Sequence, residues 1–214
     1  MTRAPSDRFR DQLLDAIAPI AGEMGWTRRA VDAAAQAAKL SQGEAMLAAP
    51  RGAIDLMDAF AERADQVMLA ELAALDLAAM RIRDKVRAAV VARLRAQFPF
   101  KEAAKAMSRA LAARPGEAAR ILWRTADRIW RALNDPSTDG NYYSKRAILA
   151  GVLASTYARW FSDDDPDAAA TFAFLDARIE NVMQFETFKA KRLKPLGEMA
   201  EDAVGFIARL RYGG

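Results

Sequence analysis

The chain has 214 residues, 52% of them hydrophobic, which is enough for a sizeable helical core and too apolar for a disordered polymer. It contains no His and no Cys, so disulfides, thiol nucleophiles, imidazole bases and every metal site needing either ligand are excluded. The net charge of +4 is unevenly placed: residues 81–131 carry +10 while residues 1–50 are neutral, so a basic N-terminal nucleic-acid module is not what the charge describes.

The opening MTRAPSDRFRDQLL has no apolar signal core and meets an acid at Asp7, and no membrane span is expected anywhere in the chain. Phe9, Leu13, Ile17 and Ile20 recur at helical spacing and predict a first helix over about residues 7–21. Pro19 should disturb its last turn, and Gly22 and Gly25 mark its end. Thr27 is placed to cap a second helix over about 28–38, with Ala30, Val31, Ala34 and Ala38 facing inward. SQGE, Ser41 to Glu44, matches a capping box for a short third helix ending near Pro50. Three short helices with a tight connection form a helix-turn-helix arrangement. The third helix argues against DNA reading, because it offers Gln42 but carries Glu44 and has no Lys or Arg before Arg51.

A longer helix follows over about 52–75, then an arginine-rich one over about 81–97 with Ile82, Val86, Val90 and Leu94 as its inward stripe. Its Arg81, Arg83, Arg87, Arg93 and Arg95 read as a solvated face, with an anionic partner or membrane surface as the sharper alternative. Pro99 interrupts the pattern before a helix over about 100–112, and Pro115 suits the first turn of the next. That helix carries Ile121, Leu122, Trp123, Ile129, Trp130 and Leu133 on one side and Arg120, Arg124, Arg128 and Arg131 on the other.

Asp135, Ser137, Asp139, Gly140 and Asn141 occupy positions 1, 3, 5, 6 and 7 of a calcium-loop register, but position 12 is Arg146 where the motif needs a bidentate Glu. The turn is therefore a polar cap for a helix starting at about Asn141. Tyr142 and Tyr143 then lie in its first turn, about 100° apart, so one ring can enter the core while the other stays exposed. Along the same helix the small residues Ala147, Gly151 and Ser155, beside Ala150, Ala154 and Ala158, offer a face for self-association. SDDDP starts another helix, with Asp165 or Ser162 as cap and Pro166 in the first turn. Its Phe172, Leu175, Ile179, Val182 and Met183 suit either a core or the wall of a ligand cavity. FKAKRLKPLG then reads as a basic tether to a final amphipathic helix.

Taken together, Ile121 to Lys191, and above all the segments STDGNYYSKRAILA and FLDARIENVM, resemble the lipid-binding accessory protein family of ubiquinone (coenzyme Q) biosynthesis. The resemblance implies an all-α fold similar to the TetR family, with a degenerate N-terminal helix-turn-helix and an amphipathic C-terminal helix. The organisation expected is a helix-turn-helix-like region over 1–50, a helical lipid-binding and dimerisation domain over 51–188, a basic linker over 189–196 and the amphipathic helix over 197–214. It further implies a non-catalytic homodimer with no cofactor of its own, which binds isoprenoid quinone intermediates at a membrane and presents them to the demethoxyubiquinone hydroxylase.

By matching positions, Asp139, Tyr142, Tyr143 and Arg146 would meet that partner, Asp139 fixing the turn and Arg146 supplying surface charge. Tyr142 departs from the Trp found there in relatives. Trp123, Trp130, Leu175, Ile179 and Met183 are candidate lipid liners, and Met199, Phe206, Ile207 and Leu210 the candidate membrane face. The expected location is the bacterial cytoplasm, peripherally on the inner membrane. The competing readings are a TetR-like DNA-binding regulator and an interaction protein without lipid cargo.

Overall fold

Capping and proline signals set most helix ends in the computed structural model, which describes residues 4–138 and 140–184. Helix α1 (Pro5–Ile17) starts on a proline, whose missing N–H costs nothing in the first turn. It stops four residues short of the predicted end: Pro19 cannot donate to the carbonyl four residues back, so the chain turns and resumes as α2 (Ala21–Met24). Gly25, at φ 67°, makes the exit. Thr27 accepts a hydrogen bond from Ala30 N at 3.2 Å and caps α3 (Arg28–Ala37). Ser41 and Glu44 close both halves of the capping box on α4 (Gln42–Ala48).

The long α5 (Ala53–Ala73), α6 (Ile82–Arg95), α7 (Lys101–Ala112), α8 (Pro115–Ala132) and α9 (Gly140–Phe161) follow, and a tenth helix, α10, is described over 169–184. Its start differs from expectation. Pro166 stays in the preceding turn, where Asp165 accepts from the amides of Asp167 and Ala169. Asp163 is drawn inward instead, 5% exposed, and takes both the amide (2.8 Å) and hydroxyl (2.6 Å) of Thr171. Those bonds outweigh burial and hold the Asp163 carboxyl below the ordinary range.

Two apolar cores are strung along α5. The first gathers Leu13, Leu14 and Ile17 of α1, Ala30 and Ala34 of α3, Leu56 and Phe60 of α5, Met107 of α7 and Trp160 of α9. The second gathers Met68 and Leu72 of α5, Val86 and Val90 of α6, Ile129 of α8, Leu149 and Leu153 of α9, and Leu175 and Ile179 of α10. Each fully buried large side chain of α5 contributes about 1.5–3 kcal/mol, so this helix ties the cores together. Residues 4–50 share the first core with α5 and α7: the Trp26 indole N–H donates to the Ala103 carbonyl at 2.9 Å. A Cβ at Gly22 would lie 2.8 Å from Cβ of Glu102, so α2 and α7 meet as closely as a glycine permits.

The arginine row of α6 is not uniformly solvated. Arg93 is 5% exposed and its Nε donates to Asp65 Oδ1 at 2.7 Å, while Asp65 itself is wholly buried. Thr125 and Arg128 of α8 complete the Asp65 shell, at 2.9 and 3.1 Å. Three helices thus meet on one carboxylate at the boundary between the cores. Ile82, predicted to face inward, is instead 40% exposed at the first turn of α6, beside the cavity described next.

Candidate functional site: an aromatic pair beside an apolar cavity

The end of α8 and the start of α9 are fastened by charged side chains that the turn brings back onto the preceding helix. Asp127 is the centre. Its Oδ1 accepts from Arg146 Nε at 2.7 Å and from the Tyr142 hydroxyl at 2.9 Å, and its Oδ2 from Arg131 Nε at 2.6 Å. Arg146 and Tyr142 are one turn apart on α9, so the guanidinium also lies against the Tyr142 ring, 3.4 Å from its centroid, and donates to the Tyr142 carbonyl at 3.1 Å. Burial raises the Asp127 carboxyl, but the bonds from Arg146, Arg131 and Tyr142 prevail and hold it below the usual carboxylate range.

This arrangement corrects the expected surface-charge role of Arg146, which is 2% exposed. The reason is local: its helix face turns toward Asp127 of α8 and Asp135 of the turn that follows, the latter 3.6 Å away. Lys145 completes the fastening, reaching Asp135 at 2.6 Å and Ser137 at 2.7 Å and standing 5.4 Å over the Trp130 ring. Trp130 returns a bond from its indole N–H to the Lys145 carbonyl at 3.1 Å. Asp135, the first position of the calcium register, is thereby engaged by two cations, and its carboxyl lies low because bonds from Lys145 and Ser137 exceed the effect of burial. Among the described residues no cluster of acids could hold a metal ion.

The two tyrosines divide as their angular offset requires. Tyr142 is half-buried in the Asp127 cluster, whereas Tyr143 is 64% exposed. Tyr143 stacks on Trp123 of α8 at 6.2 Å and meets Tyr142 edge-on at 5.1 Å, so three rings form one platform. Trp123 therefore stands with the tyrosines at the surface. The hint available in sequence was only its place beside the arginine face of α8.

Behind this platform an apolar cavity of about 450 Å³ lies among α6, α8, α9 and α10. Trp130, Ile179 and Met183 line it, together with Val86, Leu133, Ile148, Leu149, Val152 and Val182, and Lys145 and Asp135 close its polar end. Leu175, also a candidate liner, is wholly buried in the second core and does not reach it. Val86 and Val152 had no signal that separated them from ordinary core positions, since a wall and a core share one periodicity. Asp139 and the candidate membrane face of Met199, Phe206, Ile207 and Leu210 lie outside the described residues, as do the basic linker over 189–196 and the helix over 197–214.

The helix-turn-helix remnant has a different surface. Met46 and Leu47 of α4 are 63% and 54% exposed, and α4 carries no Lys or Arg. No helix among the described residues is long and apolar enough to cross a membrane.

Comparison with known proteins finds similarity in both sequence and fold. The COQ9 family model matches residues 116–186, which contain the platform and much of the cavity wall. The chain is 30% identical over 200 residues to the ubiquinone biosynthesis protein COQ9, mitochondrial, of Rattus norvegicus, covering 90% of this chain and 64% of that protein. With the Homo sapiens protein of the same name it shares 29% over 200 residues, 90% of this chain and 63% of that protein. The chain thus spans a little under two thirds of the length of these relatives. Among solved structures it resembles the TetR transcriptional regulator from Nitrosomonas europaea ATCC 19718, with a TM-score of 0.65 at 18% identity, over 81% of this chain and 97% of that one.

The fold is accordingly all-α and TetR-like, and the resemblance to the ubiquinone-biosynthesis family is borne out by both the family and the relatives. The expected bacterial cytoplasmic location is corrected, because these relatives are named as mitochondrial proteins. The physical reason is that net charge and hydropathy carry no mark of the compartment in which a chain works.

Proposed function

We propose that the chain serves ubiquinone biosynthesis as a non-catalytic carrier, holding an isoprenoid quinone intermediate and presenting it to the demethoxyubiquinone hydroxylase. The observation that carries this reading is the shared construction of platform and cavity: α8 and α9 supply both Trp123, Tyr142 and Tyr143 outside and Trp130, Leu149 and Val152 inside. An apolar volume of about 450 Å³ suits part of a lipid chain. An exposed, rigidly mounted tyrosine beside a tryptophan has the composition of a protein-binding hot spot. The neutralised carboxylates of the site, Asp127 and Asp135, suit a fastening role better than proton transfer.

Membrane contact belongs to the same proposal, since a lipid cargo must be exchanged with a bilayer. So does a homodimer, supported by the exposed small residues Ala147, Gly151, Ala154 and Ala158 on α9. A Cβ at Gly151 would meet nothing within 4 Å, so this face is open to a second copy. The repressor-like alternative has less support, because the exposed side chains of α4 are Met46 and Leu47 where phosphate binding asks for cations.

The test is native mass spectrometry with lipid extraction from the purified protein, followed by capture of the hydroxylase. Retained isoprenoid quinone and a stoichiometric complex are expected. A folded, dimeric protein that holds no such lipid after exposure to quinone-loaded vesicles would remove the carrier role.

A further inference from the structure

The cavity among α6, α8, α9 and α10 is apolar except for Arg83, Asn134, Asp135, Lys145 and the Trp130 indole. Where the hydrogen-bonding capacity of these groups goes decides which head group the cavity can accept. Arg83 and Asn134 are exposed, so water serves them. The Lys145 ammonium is engaged: it donates to Asp135 at 2.6 Å and to Ser137 at 2.7 Å, and it faces the Trp130 ring at 5.4 Å. The Trp130 N–H is engaged by the Lys145 carbonyl, and Pro136, also in the wall, has no N–H to give.

Asp135 is the exception. Its side chain is 3% exposed; Oδ1 accepts from Lys145 and Ser137, while Oδ2 accepts no hydrogen bond. Arg146 Nη1 stands 3.6 Å from Oδ2, beyond hydrogen-bond reach, and donates to the Tyr142 carbonyl. Burial raises the Asp135 carboxyl, but the bonds from Lys145 and Ser137 prevail, so the group is an anion at neutral pH. The unmet demand in this wall is therefore for a donor, because a buried carboxylate oxygen left without one is costly. A carboxylate torsion has a broad minimum, so a small turn brings Oδ2 to the cavity.

A second cavity, of about 470 Å³ among α7, α8 and α9, supplies the contrast. Its floor groups Arg93, Gln97 and Tyr157 pair with one another: Arg93 donates to the Tyr157 hydroxyl, and Tyr157 donates to the Gln97 side-chain carbonyl. None of these three has a buried oxygen left without a hydrogen bond.

We propose that Asp135 reads the head group of the carried molecule and selects its reduced, hydroxyl-bearing form. A hydroquinone or phenol O–H donates to Asp135 Oδ2, whereas a quinone, whose carbonyl oxygens only accept, sets lone pairs against the carboxylate. This selection rests on the carrier reading and adds a redox preference to it. A site built to bond a hydroxyl disfavours the analogue lacking one, because its own buried group then stays unpaired.

Isothermal titration of the full chain with two matched pairs tests it: decylbenzohydroquinone, kept reduced under argon, against decylbenzoquinone, and para-dodecylphenol against para-dodecylanisole. In each pair the member with an O–H should bind about ten-fold more tightly. Asp135→Asn, which offers an amide N–H beside its oxygen, should remove the preference in both pairs. Ile148→Trp, which fills this cavity, should leave any remaining binding alike within each pair. Equal affinities within both pairs in the unaltered chain would overturn the Asp135 assignment and leave the carrier role standing. Separation of hydroquinone from quinone without separation of phenol from anisole would overturn it too, since the hydroxyl is then not what is read. A preference that survives Asp135→Asn also sinks it. If no probe binds the unaltered chain, the carrier role and this selection fall together. Should Asp135→Asn lose its helical circular dichroism, the phenol and anisole titrations of the unaltered chain decide.

Discussion

Arg93 and Arg146 are both nearly wholly buried, at 5% and 2% exposure, yet their surroundings differ in one respect that matters. Around Arg93 the carboxylate belongs to the interior: Asp65 is fully buried, its other donor Thr125 is 1% exposed, and the cluster joins α5, α6, α8 and, through the half-buried Tyr157, α9 where the two cores meet. Around Arg146 the interior ends within one residue. Its carboxylate partner Asp127 is also bonded to Tyr142, whose neighbour Tyr143 is out in solvent. The same chemistry therefore fastens helices together in one place and fixes a surface ring in the other. A buried ion pair is weak evidence of net stability, but removing one member leaves a charge without a partner. Substitutions at the two sites should separate these roles.

The largest effect is expected at the inner cluster. Arg93→Met leaves Asp65 buried and short of its main cation and should cost about 3–5 kcal/mol, seen as a fall in Tm of roughly 6–20 °C in calorimetry. A loss below about 1 kcal/mol would show that Arg128 and Thr125 suffice, and the contrast would blur. Arg146→Met should cost less, about 1.5–3 kcal/mol, since Asp127 keeps Arg131 and access to water. It should also weaken hydroxylase capture, because Tyr142 loses the cation against its ring. Denaturant unfolding and capture by the partner, measured on the same sample, give both readouts.

Acid should separate the clusters further. The folded Asp127 carboxyl lies below its unfolded value of about 3.9, so its contribution is present above that pH and fades as pH falls through the depressed folded value. Asp135 and Asp163 share that direction. Arg146→Met should flatten the acid limb of the stability profile relative to the parent, and an unchanged limb would remove Asp127 from the account. The smallest stability change belongs to Tyr143→Ala, within about 0.5 kcal/mol for so exposed a side chain. Its affinity for the hydroxylase should nevertheless drop about ten-fold or more. Equal affinity would leave the platform without its proposed partner.

Much of this architecture was legible in the sequence. The Ser41–Glu44 box, the Thr27 cap, Pro115 at a helix start and the angular split of Tyr142 from Tyr143 all rest on rules confined to one helix turn, and each is found in place. The cap of α10 was nearly legible, but SDDDP offers four oxygen-bearing side chains, and only packing decides that Asp163 goes inward. Arg93 and Arg146 were misplaced for a related reason. Arg93 sits in a row of arginines with no local mark, and its partner Asp65 is 28 residues away. Arg146 looked like one more charge after the turn, while its partner Asp127 lies 19 residues back on another helix. Charge patterns along a single helix say which residues prefer water, and they are silent about a carboxylate arriving from elsewhere. The cavities were illegible on the same grounds, because the absence of neighbouring atoms leaves no trace in periodicity.

The close seating of α2 on α7, through Gly22 and the Trp26 indole, has a mechanical consequence. At this contact α2 abuts α7 with no room for a side chain between them, as a rivet abuts a plate. A displacement of α2 must therefore move α7 as well, and with it Met107 and Leu111 of the first core. The N-terminal helices thus brace one side of the helical domain rather than standing apart from it.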